Sequence, residues 1–276
     1  MSIQQRFPRR RVLITGGASG LGRAVGRCFA ARGWRVAFTD LDDARIEEAA
    51  AELRALGASP LHFAADASDE RAWRRVEAGV VGAWGGLDIL VNNAGVGSSG
   101  EFADVPLTEW DNVLCVNLRG PIVGAHVFAP HFIRQGAGHI VNVASSAGIA
   151  SLPGMAAYNV SKGGLISFSE SLRIELARHN VGVTCVAPTF FRSRLAENAY
   201  ATDAARKQRG IDTLRRAKVG ADQVARDLMR ALDDGRFYVM TQADGRFVWS
   251  LKRLMPEAYL KTIARLHRTG ALDRFI

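Results

Sequence analysis

The sequence predicts an α/β fold, a doubly wound parallel sheet of about seven strands with helices on both faces. Three observations predict it. Apolar runs of strand length alternate with segments of helical period along most of the chain, the pattern of repeated strand–helix–strand crossovers. The runs are near-continuous in Val, Ile, Leu, Phe and Ala, as strands covered on both faces require. A cluster of four glycines, Thr15-Gly16-Gly17-Ala18-Ser19-Gly20-Leu21-Gly22, lies between the first run and the first helical segment. An ordinary strand–helix turn needs one.

The elements follow in order. A strand over Arg11–Thr15 leads through the glycines into a helix over Leu21–Arg32. Strand Arg35–Thr39 is followed by helix Asp43–Leu56, and strand Leu61–Ala64 by helix Asp69–Trp84. Strand Leu87–Asn92 precedes a long helix over Trp110–Arg134. Strand His139–Ala144 precedes helix Ala156–His179, and strand Val181–Ala187 is the sixth. Helix Asp222–Asp233 and strand Phe237–Thr241 complete the alternation. Two regions break it: an arginine-rich insertion with aromatics, Phe190–Gly220, and a C-terminal extension, Asp244–Ile276. Long insertions at this point of a sheet serve as lids or binding loops, and no regular pattern is visible within this one.

Composition narrows the function. The chain has 276 residues, 48% of them hydrophobic, enough for a large core in a single unit spanning 1–276. The net charge of +9 invites a nucleic-acid partner, but no motif of that class accompanies it. Cys28, Cys115 and Cys185 sit in apolar runs without redox or metal spacing. They read as buried free thiols, and with no visible signal peptide or bilayer-spanning run the expected location is the cytoplasm. The histidines show no metal-ligand spacing, so metal catalysis is not expected.

The glycine cluster has its own chemistry. Gly16, Ser19, Gly20, Leu21 and Gly22 would let the backbone approach a pyrophosphate seated on the helix N-terminus. Asp40 ends the next strand, where a carboxylate accepts from adenosine ribose hydroxyls and repels a 2′-phosphate. Leu41 stands where an NADP enzyme often has a base. NAD is therefore expected in preference to NADP.

A second set of residues lies further along. Tyr158 and Lys162 are four apart in a helical segment and share a face. A free tyrosine has a pKa of about 10. A nearby ammonium and an oxidised nicotinamide both favour the phenolate, which makes the tyrosine a usable acid/base. Ser145 would hydrogen-bond the substrate oxygen. Its spacing to Tyr158 and its place after Asn142 favour it over Ser146.

Taken together, Thr15–Gly22, Asn92-Asn93-Ala94-Gly95, Asn117, Ser145 and Tyr158-Asn159-Val160-Ser161-Lys162 resemble the short-chain dehydrogenase/reductase family. The resemblance covers about Arg11 to Ser193 and continues more weakly to Thr241. It implies a Rossmann-type fold and an alcohol dehydrogenase or ketone reductase. It further implies that Asp66 contacts adenine, that Asn93, Ala94 and Gly95 line the cofactor, and that Asn117 holds a water connecting Lys162 to solvent. Lys162 would also touch the nicotinamide ribose. The family usually has Pro-Gly where this chain has Pro188-Thr189, and Ser193 is nearest the position of its nicotinamide-contacting threonine. The resemblance implies a homodimer or homotetramer with helices Trp110–Arg134 and Ala156–His179 at the interface.

The substrate expected is a small alcohol or ketone, partly apolar, closed over by Phe190, Phe191 and Tyr200. Trp249, Leu251 and Leu254 of the extension would form an outer wall. The extension carries apolar residues at helical spacing, broken at Pro256, with basic flanks. Packing on the substrate loop or on a neighbouring subunit is favoured there over contact with an anionic membrane.

Overall fold

In the computed structural model, which describes residues 2–272, each of the seven apolar runs contains a strand. In chain order the strands are β1 (Arg11–Thr15), β2 (Arg35–Asp40), β3 (Leu61–Ala64), β4 (Ile89–Asn92), β5 (Ser98–Ser99), β6 (Gly138–Val143), β7 (Val181–Val186), β8 (Tyr200–Ala201) and β9 (Tyr238–Val239). Seven form one sheet in the order β3-β2-β1-β4-β6-β7-β9, and β5 pairs with β8 outside it. Every pairing is parallel.

The helices are α1 (Ile3–Arg6), α2 (Gly20–Ala30), α3 (Asp43–Ala55), α4 (Glu70–Trp84), α5 (Leu107–Leu114), α6 (Gly120–Gln135), α7 (Ala147–Ala150), α8 (Ala156–Glu175), α9 (Ala204–Arg216), α10 (Ala221–Asp234), α11 (Ala243–Leu254) and α12 (Pro256–Arg268). Side chains alternate across the strands. Val12 and Ile14 join a core with Val25 and Phe29 of α2, Ile46 of α3 and Leu228 of α10. Leu13 between them joins Trp73 of α4 and Phe128 and Phe132 of α6 on the opposite face. Both faces are covered, which is why the strand runs carry no polar alternation.

The structure departs from expectation where local chemistry intervenes. Strand Leu87–Asn92 starts late because Asp88 is held by Arg11, whose backbone N–H and guanidinium both donate to it. The single helix expected over Trp110–Arg134 is α5, a π turn at Cys115–Arg119, and α6. Pro121 has no N–H to offer the carbonyl of Asn117 four residues back, so the α ladder is interrupted there. By length and composition this Leu107–Gln135 run is apolar enough to cross a bilayer, contrary to the sequence reading. Val123, Val127, Phe128 and Phe132 spend that apolarity on the sheet.

Two more expectations are corrected. Only Cys185 is buried, while Cys28 and Cys115 are half-exposed; all three thiols are free. The insertion Phe190–Gly220 is not patternless. It contains β8 and α9, a helix capped by Asp203, which accepts from the Arg206 N–H. Helix α9 buries none of its residues fully and is rich in arginine, so it shows no apolar stripe to read. The extension forms α11 and α12 with Pro256 opening the second helix, as its spacing predicts. Residues 273–276 lie outside the described residues.

Candidate active site

The C-terminal ends of β1, β2, β4, β6 and β7 open on a cavity of about 1100 Å³, astride the point where the strand order reverses between β1 and β4. Ligands bind at that point in open parallel sheets. Gly16 and Gly20 adopt φ of +62° and +49°, and a Cβ built at Gly20 meets nothing within 4 Å. That leaves the turn's outer surface bare. Gly22 works from beneath: a Cβ there would strike the Gly16 carbonyl and the Asn93 amide. Of the predicted glycine-turn residues, Gly16, Ser19, Gly20 and Leu21 line the cavity, and Gly22 supports them.

The strand ends lock the turn. Thr15 Oγ1 accepts from the N–H groups of Asn93 and Ala94, both at 3.0 Å. Asn93 Nδ2 donates back to the carbonyls of Thr15 and Gly16. Asp40 Oδ2 accepts from the Ala18 N–H at 3.1 Å, so this carboxylate both fixes the turn and lines the cavity. Asp66 is in the wall as well, its Oδ1 accepting from the backbone and hydroxyl of Ser68. A bare glycine turn at a helix N-terminus, with a carboxylate beside it, fits a dinucleotide.

The other half of the cavity holds Tyr158, Lys162 and Ser145. Tyr158 and Lys162 project from α8, with Lys162 Nζ 5.8 Å from the centre of the tyrosine ring. Nζ donates to the Val143 carbonyl at 2.9 Å. Burial pushes the lysine down to about 8. Burial also pushes the Tyr158 phenol up, opposed by a hydrogen bond to Ser145. Ser145 is fixed in turn by the Ala147 N–H, which donates to its Oγ at 3.1 Å.

Asn117 does not line the cavity. Its amide donates both protons, to the Val96 carbonyl and to Ser161 Oγ, and its Oδ1 accepts from the Val96 N–H. The side chain therefore holds the loop after β4 against α8, and no amide proton is left for a water. Gly95 sits at this junction: a Cβ there would lie 3.1 Å from Asn117 Oδ1 and 3.4 Å from Lys162 Nζ.

With this geometry in place, the comparison with known proteins is decisive. Residues 10–204 match the family model of short chain dehydrogenases. The chain belongs to the short-chain dehydrogenase/reductase family. Probable oxidoreductase EphD of Mycobacterium tuberculosis is 32% identical over 265 residues, covering 92% of this chain and 44% of that protein. The chain thus spans less than half the length of that relative. A family member from Burkholderia phymatum, solved in complex with NAD, gives a TM-score of 0.85 at 30% identity, over 90% of this chain and 94% of that one. A metagenomic short-chain oxidoreductase solved with NADP gives 0.69 at 31% identity, over 84% and 95%.

This member of the short-chain dehydrogenase/reductase family has a cleft that fits a nicotinamide dinucleotide. Several supporting contacts escaped the sequence. Gly148 of α7 packs on the backbone of α8, where a Cβ would lie 2.5 Å from Lys162 C and Gly163 N. Ser161 Oγ donates to the Tyr158 carbonyl at 2.8 Å. Asn92, Asn142 and Ser169 form a buried hydrogen-bonded row beneath the site. The asparagines were the visible signal, being polar residues inside apolar strand runs.

The substrate side is closed by the insertion and the extension. Pro188, Phe190, Phe191 and Ser193 line the cavity, but Tyr200 is taken up in β8 and does not. Val248, Tyr259 and Ile263 make the tail's wall in place of Trp249, Leu251 and Leu254. Trp249 packs instead on Tyr238, with Arg253 over its ring. Thr189, where the family usually has glycine, fastens the two regions together. Its N–H donates to Gln242 at 3.0 Å, its hydroxyl donates to Asp244 at 3.2 Å, and its methyl faces Gly245.

Proposed function

We propose that this protein is an NAD-preferring dehydrogenase that interconverts a secondary alcohol and a ketone, with Tyr158 as acid/base. The observation that carries the reading is the buried Ser145–Tyr158–Lys162 group in one wall of a cavity whose other end is the glycine turn and Asp40. Gly16, Ser19, Gly20, Leu21, Asp40, Asp66, Asn93, Ala94 and Gly95 would hold the dinucleotide, with Pro188 and Ser193 near its nicotinamide end. The nicotinamide, when bound, supplies or accepts the hydride and brings a positive charge in its oxidised form. Tyr158 takes the hydroxyl proton in oxidation and returns it in reduction. Ser145 holds the substrate oxygen beside the phenol and favours its ionised form. Lys162 adds positive charge on the same helix face and, at the ribose, orients the cofactor.

The pH dependence has a definite sign. Oxidation needs the phenolate and reduction needs the phenol. Alcohol oxidation should therefore rise with pH and ketone reduction fall, over the same limb. Because burial raises Tyr158, that limb should lie on the alkaline side of neutrality. kcat/KM measured in both directions across pH checks this, and a limb rising with pH for reduction would contradict it.

Asp40 supports NAD. A basic residue, Arg45, does reach the cavity wall, which would favour the phosphorylated cofactor, but its guanidinium is paired with Asp42 at 3.0 Å. Asp40→Ala should narrow the preference for NAD over NADP by roughly tenfold, the worth of one charge-assisted hydrogen bond. A screen of secondary alcohols with each oxidant reads this and names the substrate; higher kcat/KM with NADP in the unaltered protein would overturn the assignment.

Assembly as a homodimer or homotetramer is part of the same reading. Leu107, Val160 and Ile174 expose large apolar side chains on α5 and α8, where pairing would bury them. Light scattering at micromolar concentration should give a mass of two or four chains.

A further inference from the structure

The extension has two sides with different chemistry. One side belongs to the site: Tyr259 is buried with its hydroxyl donating to the Ala150 carbonyl at 2.8 Å, and Lys252 Nζ donates to Ile149 O and Ser151 Oγ. Val248, Tyr259 and Ile263 face the cavity. Among the described residues the other side meets no packing partner. Helix α12 buries only Tyr259 of its 13 residues, far less than a helix of this length draws on for stability. Phe247 is 67% exposed and Leu254 80%. They are seven residues apart and so lie on one face of α11. Met255 and Leu260, at the corner and in α12, are also exposed.

Charge frames these apolar residues. From Asp244 to Arg268 there are six basic residues, Arg246, Lys252, Arg253, Lys261, Arg265 and Arg268, against Asp244 and Glu257. Among the described residues none of the six is in an ion pair, although arginines elsewhere on the surface are repeatedly paired; Lys252 is turned to the cavity side, which leaves the five others exposed. A surface of exposed large apolar side chains ringed by unneutralised Lys and Arg is complementary to an anionic lipid surface, which takes apolar groups at its acyl boundary and basic groups at its headgroups. A water-facing helix needs no such apolar residues. A second copy of this chain would bring the same positive charge and repel.

We propose that α11 and α12 dock this protein on an anionic membrane surface, so that the helices walling the cavity also lie against the lipid. An apolar alcohol or ketone dissolved in the bilayer would then reach the cavity beside Val248 and Ile263 without crossing water. The last statement rests on the proposed dehydrogenase activity; the docking itself does not.

The test uses the full chain and vesicles of phosphatidylcholine, with or without phosphatidylglycerol, in a sedimentation assay that requires no turnover. Binding is expected only to the anionic vesicles, and salt at about 0.5 M should release most of it. The triple variant Lys261→Glu/Arg265→Glu/Arg268→Glu should lose roughly 100-fold in partitioning, at about tenfold or less per reversed charge. Phe247→Ser/Leu254→Ser should weaken binding without abolishing its salt dependence. None of these residues lines the cavity, so kinetics with a water-soluble substrate should be unchanged. If activity is lacking but vesicle binding is as described, the docking stands and the dehydrogenase reading fails. No binding to either vesicle, or equal binding to both, overturns the docking. A mass change in the triple variant by light scattering, without vesicle binding by the parent, also overturns it and gives the face to a second copy.

Discussion

Replacing Tyr158 with phenylalanine is expected to lower turnover by roughly 1000-fold, the typical worth of a positioned acid/base. The change removes one hydroxyl from a side chain that is 8% exposed and leaves the ring in place. Ser145 stays held by the Ala147 N–H. Cofactor binding should survive, because the glycine turn, Asp40 and Asn93 are untouched. A fluorescence titration with NADH alongside steady-state kinetics separates the two effects. Activity within about tenfold of the parent would remove Tyr158 from the mechanism, and lost cofactor affinity would mean that the hydroxyl has a binding role first.

Gly148→Val should be the most damaging single change outside the reacting groups. The Cβ would lie 2.5 Å from both Lys162 C and Gly163 N, and 2.7 Å from the Lys162 carbonyl. All three are backbone atoms of α8, so no side chain can swing aside. Helices α7 and α8 must separate, and overpacking of that kind costs about 3 kcal/mol, or roughly 6–10 °C in Tm. Displacement of about 1 Å at Lys162 and Ser145 should also reduce kcat about 100-fold in the fraction that folds. The neighbouring Gly163→Ala is the control, since its Cβ would come no closer than 3.3 Å to the Gly148 carbonyl. It should be markedly milder. Equal Tm and kcat for Gly148→Val and the parent would show that the crossing is looser than the structure has it.

The contrast between Tyr158 and Gly148 marks what was legible in the sequence. That Tyr158, Lys162 and Ser145 share one cavity was legible because residue type and spacing along the chain place them together. The seven strands were visible because burial on both faces writes continuous apolar runs. Gly148 was not, since its importance lies in a close crossing between two helices that no local pattern encodes. Helix α9 was hidden for another reason: the face it turns to the cavity is Arg206, Gly210, Thr213 and Leu214, with a single large apolar side chain and so no apolar period to detect. The π turn at Cys115–Arg119 depends on Pro121, which in sequence reads only as a tolerated proline near a helix start. Asn117 was singled out by resemblance alone, and its bonds to Val96 and Ser161 could be seen only once the loop after β4 was in place.

On the proposed dehydrogenase reading, Thr189 has a consequence for how this protein would bind two ligands. It stands beside Pro188 in the cavity wall and grips the first turn of α11 through Gln242 and Asp244, while Val248 of α11 and Tyr259 and Ile263 of α12 line the same cavity. Whatever spreads that wall must pull on Thr189, and whatever settles the loop at Pro188 must draw the wall in. The two affinities are then linked, and the linkage is reciprocal by thermodynamic necessity. A substrate large enough to push on Tyr259 would loosen NAD by the same factor that NAD loosens it. A substrate that fits would tighten both, so the size of the alcohol this chain accepts is registered in its hold on the cofactor.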